Sequence, residues 1–164
     1  MIIPIAVKGG ALQESNRMEI ADFIAADRIA LNLRVRDKAQ LLRELAKRAA
    51  AGSGVPVAAI QSALLAREGL GSTGLGKGFA LPHARIEGLK QFVGLFARLA
   101  RPIDYDAIDG APVDLVFLLL MPAEAGNAHV AALAAVSRRF RDADTVARLR
   151  KADAAAALAA LGAR

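Results

Sequence analysis

The chain of 164 residues has no cysteine and no tryptophan, and its aromatic residues amount to only 4%. Without thiols it forms neither a disulfide framework nor a thiolate zinc site, which is consistent with a cytoplasmic protein. The scarcity of rings argues against stacking on single-stranded nucleic acid. The longest apolar run, Leu115 to Met121, is far below the roughly 20 residues that cross a bilayer. We therefore expect a protein that does not span a membrane.

Basic residues outnumber acidic ones, and the formal net charge is +6. They are dispersed over the segments that we predict to be helical: Arg43, Lys47 and Arg48; Arg138, Arg139 and Arg141; Arg148, Arg150 and Lys151. Dispersed charge is more typical of a solvated surface than of a nucleic-acid site. A basic face can still help to dock an acidic or phosphorylated protein.

The length suits one domain with a well-buried core. Residues 1–17 have a short apolar start without the central apolar region of a signal peptide. We interpret them as an N-terminal extension that is disordered or was added for expression, and we place the domain at residues 18–164.

Strand patterns alternate with helix patterns along this domain. Predicted strands cover residues 29–35, 78–81, 92–99 and 113–121, and predicted helices cover residues 18–25, 38–51, 56–68, 128–141 and 153–161, with a further helix starting at Asp142 or Asp144. Asp37 and Asn127 are the predicted caps of two of these helices. In the helix after Asn127, the predicted buried side consists of Val130, Leu133, Ala134 and Val136. The alternation predicts an α/β sandwich of one domain, with a central mixed sheet flanked by helices.

One of only two histidines follows a glycine-rich loop. His83 comes after Pro82, whose ring favours an extended backbone at Leu81, so a short strand is expected to end by presenting the imidazole. The local sequence supports an equal alternative, in which His83 hydrogen-bonds at the edge of the core.

The loop itself, Gly71 to Gly78, nearly matches a phosphate-binding P-loop. Gly78 stands where that motif needs a serine or threonine to bind magnesium. A P-loop also follows a strand and opens a helix, whereas this loop follows a helix and leads into a strand. Nucleotide binding is therefore disfavoured.

Two further residues are candidates for a site. His129 falls in the first turn of a predicted helix, where unpaired N–H groups attract anions, although an inert histidine at that position is common. Arg67 ends the helix before the glycine loop, where its guanidinium suits a phosphoryl group or pairs with Glu68 at the surface. A metal bound by both histidines is a weaker alternative, because no carboxylate stands at a recognisable spacing from them.

Three segments, AREGLGSTGLGKGFALPHAR, DGAPVDLVFLLLMP and NAHVAALAAVSRRF, resemble the enzyme IIA domain of the bacterial phosphotransferase system. The likeness covers about residues 18–164, belongs to the fructose/mannitol class and is strongest for the nitrogen-regulatory type. Pro-His-Ala replaces the Pro-His-Gly of many members, which leaves the histidine in place.

The resemblance implies that His83 is phosphorylated by a histidine-containing phosphocarrier protein, with Arg67 and His129 supporting the phosphoryl group. Ser72 and Thr73 either add hydroxyl donors or serve only the turn. No cofactor or metal is implied. The resemblance further implies a cytoplasmic regulator whose phosphorylation state acts on proteins such as potassium transporters or sensor kinases. Two alternatives remain: a sugar-specific IIA component that passes phosphate to a IIB permease domain, and an anion-binding module without catalysis.

Overall fold

A mixed sheet of six strands organises the chain, whose computed structural model describes residues 18–162. The strands are β1 (Ile29–Leu33), β2 (Gly74–Gly76), β3 (Phe79–Ala80), β4 (His83–Ile86), β5 (Val93–Ile103) and β6 (Val113–Pro122). The predicted α/β sandwich is confirmed. The predicted extension over residues 1–17 lies outside the described residues.

β6 is the central strand. The order is β1-β5-β6-β3-β2; β5 pairs with β6 antiparallel, and β3 and β4 lie one after the other along its other edge, both parallel to it. Leu81 and Pro82 separate these two short strands, and the Pro82 carbonyl still accepts a hydrogen bond from the Leu119 amide at 3.0 Å. The chain thus stays on the sheet, and His83 begins the second segment.

Among the described residues, five helices cover the two faces of the sheet. One face carries α1 (Lys38–Ala50) and α2 (Val57–Gly69), and the other carries α3 (Ala128–Arg141), α4 (Ala143–Leu149) and α5 (Ala154–Ala160). Successive residues of β6 enter opposite layers: Val116, Leu118 and Leu120 pack with α1 and α2, while Leu115, Phe117 and Leu119 pack with the other three helices. This explains the continuous apolar run, since a strand covered on both faces needs no polar side. Within residues 18–162, no helix is long and apolar enough to cross a membrane.

Aspartates fix three of the helix starts. The side chains of Asp37, Asp142 and Asp153 accept hydrogen bonds from the amides of Gln40, Thr145 and Ala156, respectively. Each cap satisfies a backbone donor that the helix leaves free, which typically stabilises the fold by about 1 kcal/mol. The predicted starts of these helices are confirmed.

The predicted helix over residues 18–25 is wrong. The segment instead contains one 3₁₀ turn, Ile20–Asp22, and a second turn, Ala26–Arg28, follows it. The Phe23 carbonyl accepts a hydrogen bond from the Gly94 amide at 2.7 Å, so a backbone group that a helix would use internally is bound to the sheet. A helix of two turns is too short to outweigh such a contact. β1 also ends at Leu33 rather than Val35, after a register irregularity beside Asn32, whose φ is +56°.

The predicted start of α3 is right, and its predicted buried side is right in part, because Val136 is buried and Leu133 packs against the core. Asn127 has helical dihedral angles and makes no capping hydrogen bond with its side chain. Val130 is 71% exposed, whereas the buried residues are His129, Ala132, Ala135, Val136 and Phe140. The Phe140 ring stacks on Phe79 with their centroids 4.0 Å apart, which fixes the rotation of the helix about one residue away from the predicted stripe.

Candidate functional site

The candidate site forms where the end of α2, the hairpin β2–β3 and the start of β4 meet. The glycine loop continues into this hairpin, and a close approach explains one of its glycines. A Cβ on Gly74 would lie 2.8 Å from the Cα of Ala107, so only glycine permits the hairpin to pack against the segment before β6. No helix follows the loop, which agrees with the sequence argument against a P-loop.

The His83 ring is held by one nitrogen and offers the other. Its Nδ1 lies 2.8 Å from the carbonyl oxygen of Leu81, which only accepts hydrogen bonds, so Nδ1 carries the proton. Its Nε2 therefore has a lone pair, which accepts a hydrogen bond from Nε of Arg67 at 3.3 Å. The ring is partly buried. The structure thus combines the two sequence alternatives, a histidine at the core edge and a displayed nitrogen.

The surroundings favour the neutral form of His83. Burial lowers the pKa of the imidazole below its usual 6.5, and the positive charge of Arg67 lowers it further. The hydrogen bond to Leu81 and the charge of Glu68 oppose this effect without overcoming it. A neutral imidazole with a free lone pair is a nucleophile at physiological pH.

Arg67 joins the loop to the histidine. It lies in the last turn of α2, and its Nη1 donates to the carbonyl of Gly71 at 2.9 Å while Nε donates to His83. The structure therefore brings together two of the predicted site residues. A guanidinium held in this way can also bind the oxygens of an anion at Nε2.

Sequence reasoning missed the role of Glu68, which it treated only as a surface partner of Arg67. The Glu68 side chain is 7% exposed and forms an ion pair with Lys38 at 2.7 Å. It also accepts hydrogen bonds from the Tyr105 hydroxyl at 2.9 Å and from the amide and hydroxyl of Thr73. Burial raises the pKa of Glu68, but these donors outweigh it and leave the pKa below 4.5. The sequence does contain a pattern that indicates burial of Glu68, because Ile60, Leu64 and Glu68 are four residues apart and lie along one side of α2.

The hydroxyls of Ser72 and Thr73 are engaged within the protein. Ser72 donates to the carbonyl of Tyr105 at 3.1 Å and accepts from the Gly74 amide, as in a turn. Thr73 is buried, and its hydroxyl donates to Glu68 and contacts the Tyr105 hydroxyl. Both residues shape the loop beside His83, and their service as phosphoryl donors stays a prediction.

His129 occupies the predicted first turn of α3 but is buried, with 3% of its surface exposed. Its Nε2 lies 2.7 Å from the carbonyl oxygen of Pro122 and therefore carries the proton. Its Nδ1 is buried without a hydrogen-bond partner among the described residues. The register places Pro122 beside Ile86, three residues beyond His83 on β4. Residues 18–162 contain no group of three histidine, aspartate or glutamate residues arranged to hold a metal.

The chain is similar to known proteins over most of its length. Residues 22–161 match the family described as phosphoenolpyruvate-dependent sugar phosphotransferase system, EIIA 2. The nitrogen regulatory protein of Bradyrhizobium diazoefficiens is 48% identical over 133 residues, which cover 81% of this chain and 87% of that protein. A fructose-specific EIIA component from Haloferax volcanii is 41% identical over 91 residues, 56% of this chain and 59% of that protein.

A solved structure agrees. The crystal structure of nitrogen regulatory protein IIA-Ntr from Neisseria meningitidis superimposes with a TM-score of 0.83 at 36% identity, covering 87% of this chain and 98% of that one. These findings confirm the resemblance that the motifs indicated. The chain belongs to the type 2 EIIA family of the phosphoenolpyruvate-dependent sugar phosphotransferase system, in its nitrogen-regulatory branch.

Proposed function

We propose that this protein accepts a phosphoryl group on Nε2 of His83 from a histidine-containing phosphocarrier protein and regulates partner proteins through its phosphorylation state. The proposal is supported chiefly by the different contacts of the two nitrogens of the His83 ring. Nδ1 is bound to the Leu81 carbonyl, and Nε2 presents its lone pair to a guanidinium. The cytoplasm, where such carriers work, is the proposed location.

The transfer needs no cofactor. The lone pair of Nε2 attacks the phosphorus held on the carrier's phosphohistidine, a new P–N bond forms, and the carrier's P–N bond breaks with its electron pair returning to the carrier's imidazole. The proton on Nδ1 stays on the hydrogen bond to Leu81. That carbonyl stabilises the positive charge that the ring gains as Nε2 forms its bond.

In this proposal Arg67 has one role before phosphoryl transfer and another after it. Before transfer its Nε donates to Nε2 and helps to keep the imidazole neutral. Once Nε2 is bonded to phosphorus it no longer accepts a hydrogen bond, and the guanidinium turns to the phosphoryl oxygens. Nη1, bound to Gly71, limits how far the side chain moves. Positioning and charge therefore supply most of the catalysis.

His129 is the proposed second support of the phosphoryl group, by family resemblance. Its neutral form donates to Pro122, so Nδ1 offers a lone pair and no proton. Support of an anion by Nδ1 thus requires that His129 take up a second proton, or turn its ring, as the phosphoryl group arrives.

The surface around the site suits a protein donor. Leu70 is 85% exposed just after Arg67, and Ile108 is 77% exposed where its amide binds Gly74 of the hairpin. Leu75, in β2, is exposed as well. Apolar side chains beside a partly buried histidine favour docking of a carrier protein over capture of a small anion.

A phosphoryl group adds roughly −1.5 to −2 units of charge at pH 7 on such an apolar surface. Partners that bind the unmodified surface are then disfavoured, or partners with basic groups favoured. Regulatory targets such as potassium-transport or sensor-kinase proteins are proposed by family analogy alone.

A second candidate is transfer of the phosphoryl group from His83 to a sugar-specific IIB component. The 41% identity to a fructose-specific EIIA component favours it. Both functions use the same site, so they are separated by the acceptor. A labelled phosphoryl group that moves from this protein to a IIB protein and then to sugar would establish the second function.

The direct test is the intact mass of the protein after incubation with phosphoenolpyruvate, enzyme I and a histidine phosphocarrier. The expected result is one acid-labile phosphoryl group on the wild type and on His129→Ala, and none on His83→Ala. His129→Ala removes the only other histidine and so identifies the modified residue at the end point of the reaction, although we expect it to react more slowly. A wild-type protein that stays unmodified with several carriers would refute the proposal and favour an anion-binding module.

A further inference from the structure

Two neighbouring residues at the end of α2 carry opposite charges and point to different partners. Arg67 donates to His83 and Gly71, while the Glu68 carboxylate binds Lys38, Tyr105 and Thr73. Within residues 18–162 no ion pair joins Arg67 to Glu68. Consecutive residues of a helix diverge by about 100°, yet both charges act on His83, and a carboxylate is a stronger acceptor for a guanidinium than a neutral imidazole is. The contacts that fix each side chain therefore decide which acceptor Arg67 reaches.

Both oxygens of the Glu68 carboxylate are occupied. Oε1 accepts from the hydroxyls of Tyr105 and Thr73, and Oε2 accepts from Lys38 and the Thr73 amide. The Lys38 ammonium also lies over the Tyr105 ring, 4.5 Å from its centroid, and is thereby held in place. Tyr105 is fully buried, so these contacts form in a poorly solvated environment where charge interactions are strong.

We propose that Lys38 and Tyr105 are positioning residues for the phosphotransfer assigned above to His83. They hold the Glu68 carboxylate away from Arg67, so the guanidinium remains on Nε2 of His83 and is available to the phosphoryl group there. This inference rests on the proposed function and assigns to it two residues that do not touch the reacting atoms.

The charges around the site support this role. Lys38, Arg67 and Glu68 together carry a net charge of +1, which attracts an incoming phosphoryl group. Without Lys38 that sum is zero, and the Glu68 carboxylate keeps its hydrogen bonds to Tyr105 and Thr73 but loses its cationic partner. The Glu68 charge raises the pKa of His83 and the Arg67 charge lowers it. A Glu68 carboxylate that is released from Lys38 and draws the guanidinium away from His83 therefore raises that pKa.

The test compares Lys38→Met with Arg48→Met. Arg48 forms an exposed ion pair with Glu44 on the same helix, about 15 Å further along its axis, and serves as the matched control. The first readout is the imidazole titration of His83 by nuclear magnetic resonance in the unphosphorylated protein. The second is kcat/KM for phosphoryl acceptance from the carrier.

We expect Lys38→Met to raise the pKa of His83 and to lower kcat/KM by about tenfold or more, since small displacements of a catalytic group have large effects. Lys38→Arg should restore most of both values, and Arg48→Met should change neither. Tyr105→Phe, which keeps the ring and removes one donor, should shift both values in the same direction by less. It also tests the proposal if Lys38→Met does not fold.

An unchanged or lowered pKa of His83 in folded Lys38→Met, with kcat/KM equal to that of Arg48→Met, would overturn this assignment. The titration needs no phosphotransfer. If the wild type accepts no phosphoryl group, the proposed function fails, while the titration still decides whether Lys38 keeps Glu68 from Arg67.

Discussion

The two histidines of this chain are held in opposite ways. Nδ1 of His83 donates a hydrogen bond to the Leu81 carbonyl and leaves Nε2 as the acceptor. Nε2 of His129 donates a hydrogen bond to the Pro122 carbonyl and leaves Nδ1 unpaired among the described residues. His83 is partly buried beside a guanidinium; His129 is almost fully buried beside the Phe92 ring. In each ring a backbone carbonyl selects the tautomer and hence the nitrogen that remains for chemistry.

The two rings differ most in the environment of the second nitrogen. The lone pair of His83 accepts a hydrogen bond from Arg67 on a partly buried ring, and in the proposed function this guanidinium binds the arriving phosphoryl group. The lone pair of His129 faces the interior, where it cannot be phosphorylated without rearrangement. In the proposed function, the same side chain is therefore the nucleophile at one position and at most a support at the other.

Removing the Arg67 guanidinium should have the largest effect on phosphoryl acceptance, because it leaves the second nitrogen of His83 without a donor, as the second nitrogen of His129 is among the described residues. We expect Arg67→Met to lower kcat/KM for phosphoryl acceptance by about a thousandfold, as for other arginines that bind a transferring phosphoryl group. It should also raise the pKa of His83, since the Arg67 charge lowers it. Rapid-quench kinetics and imidazole titration measure the two effects, with Arg67→Lys as the conservative control. A rate within a few-fold of the wild type would remove Arg67 from the site.

The proposed support by His129 predicts a smaller loss. His129→Gln keeps a donor for the Pro122 carbonyl but cannot take up a proton, so the maximal rate of phosphoryl acceptance should fall by about a hundredfold. His83 should still be the residue modified. Single-turnover kinetics measure the loss, and an unchanged rate would leave His129 with a structural role only.

Acidification should lower the unfolding free energy of the wild type more than that of a protein without the His83 imidazole. The pKa of His83 is lowered in the folded state, so below about pH 6.5 the unfolded chain binds more protons and folding loses stability. The contribution of neutral His83 to folding stability is fully present above that pH and declines as the pH falls toward the pKa of His83 in the folded protein. Urea unfolding at pH 7.5 and pH 5.5 should show a greater decrease in unfolding free energy for the wild type than for His83→Gln. An equal decrease would show that the pKa of His83 is not lowered.

The smallest expected effect is at Ser72, whose hydroxyl serves the turn. Ser72→Ala removes hydrogen bonds to Tyr105 and Gly74, and we expect it to lower the unfolding free energy by about 1 kcal/mol. Phosphoryl acceptance should stay within about twofold of the wild type. A tenfold slower transfer would instead establish the hydroxyl as a phosphoryl donor.

Local patterns predicted much of the fold. Aspartates before apolar helical periods marked the starts of α1, α4 and α5, and the long apolar run marked β6. The errors arose where tertiary contacts override local preference. The Phe23 carbonyl bound to Gly94 prevents the first helix, and Phe140 stacked on Phe79 rotates α3. The strand β4 was missed because it is only four residues long and depends on pairing with β6.

The sequence predicted only part of the candidate site, because several of its contacts form only in the folded protein. His83 and Arg67 are marked by the glycine loop between them, and the structure joins them at 3.3 Å. The protonated nitrogen of each ring depends on carbonyls that only the folded sheet brings near. Lys38 and Tyr105 lie 30 and 37 residues from Glu68 in the sequence, so no local pattern could place them beside it.

The central claim is that Nε2 of His83 is the phosphoryl acceptor. Its most direct test is long-range ¹H–¹⁵N nuclear magnetic resonance of the ¹⁵N-labelled protein after phosphorylation by the carrier. We expect coupling of phosphorus to Nε2 of His83, with Nδ1 still protonated and bound to Leu81. Phosphorus on Nδ1 of His83, or on either nitrogen of His129, would contradict it.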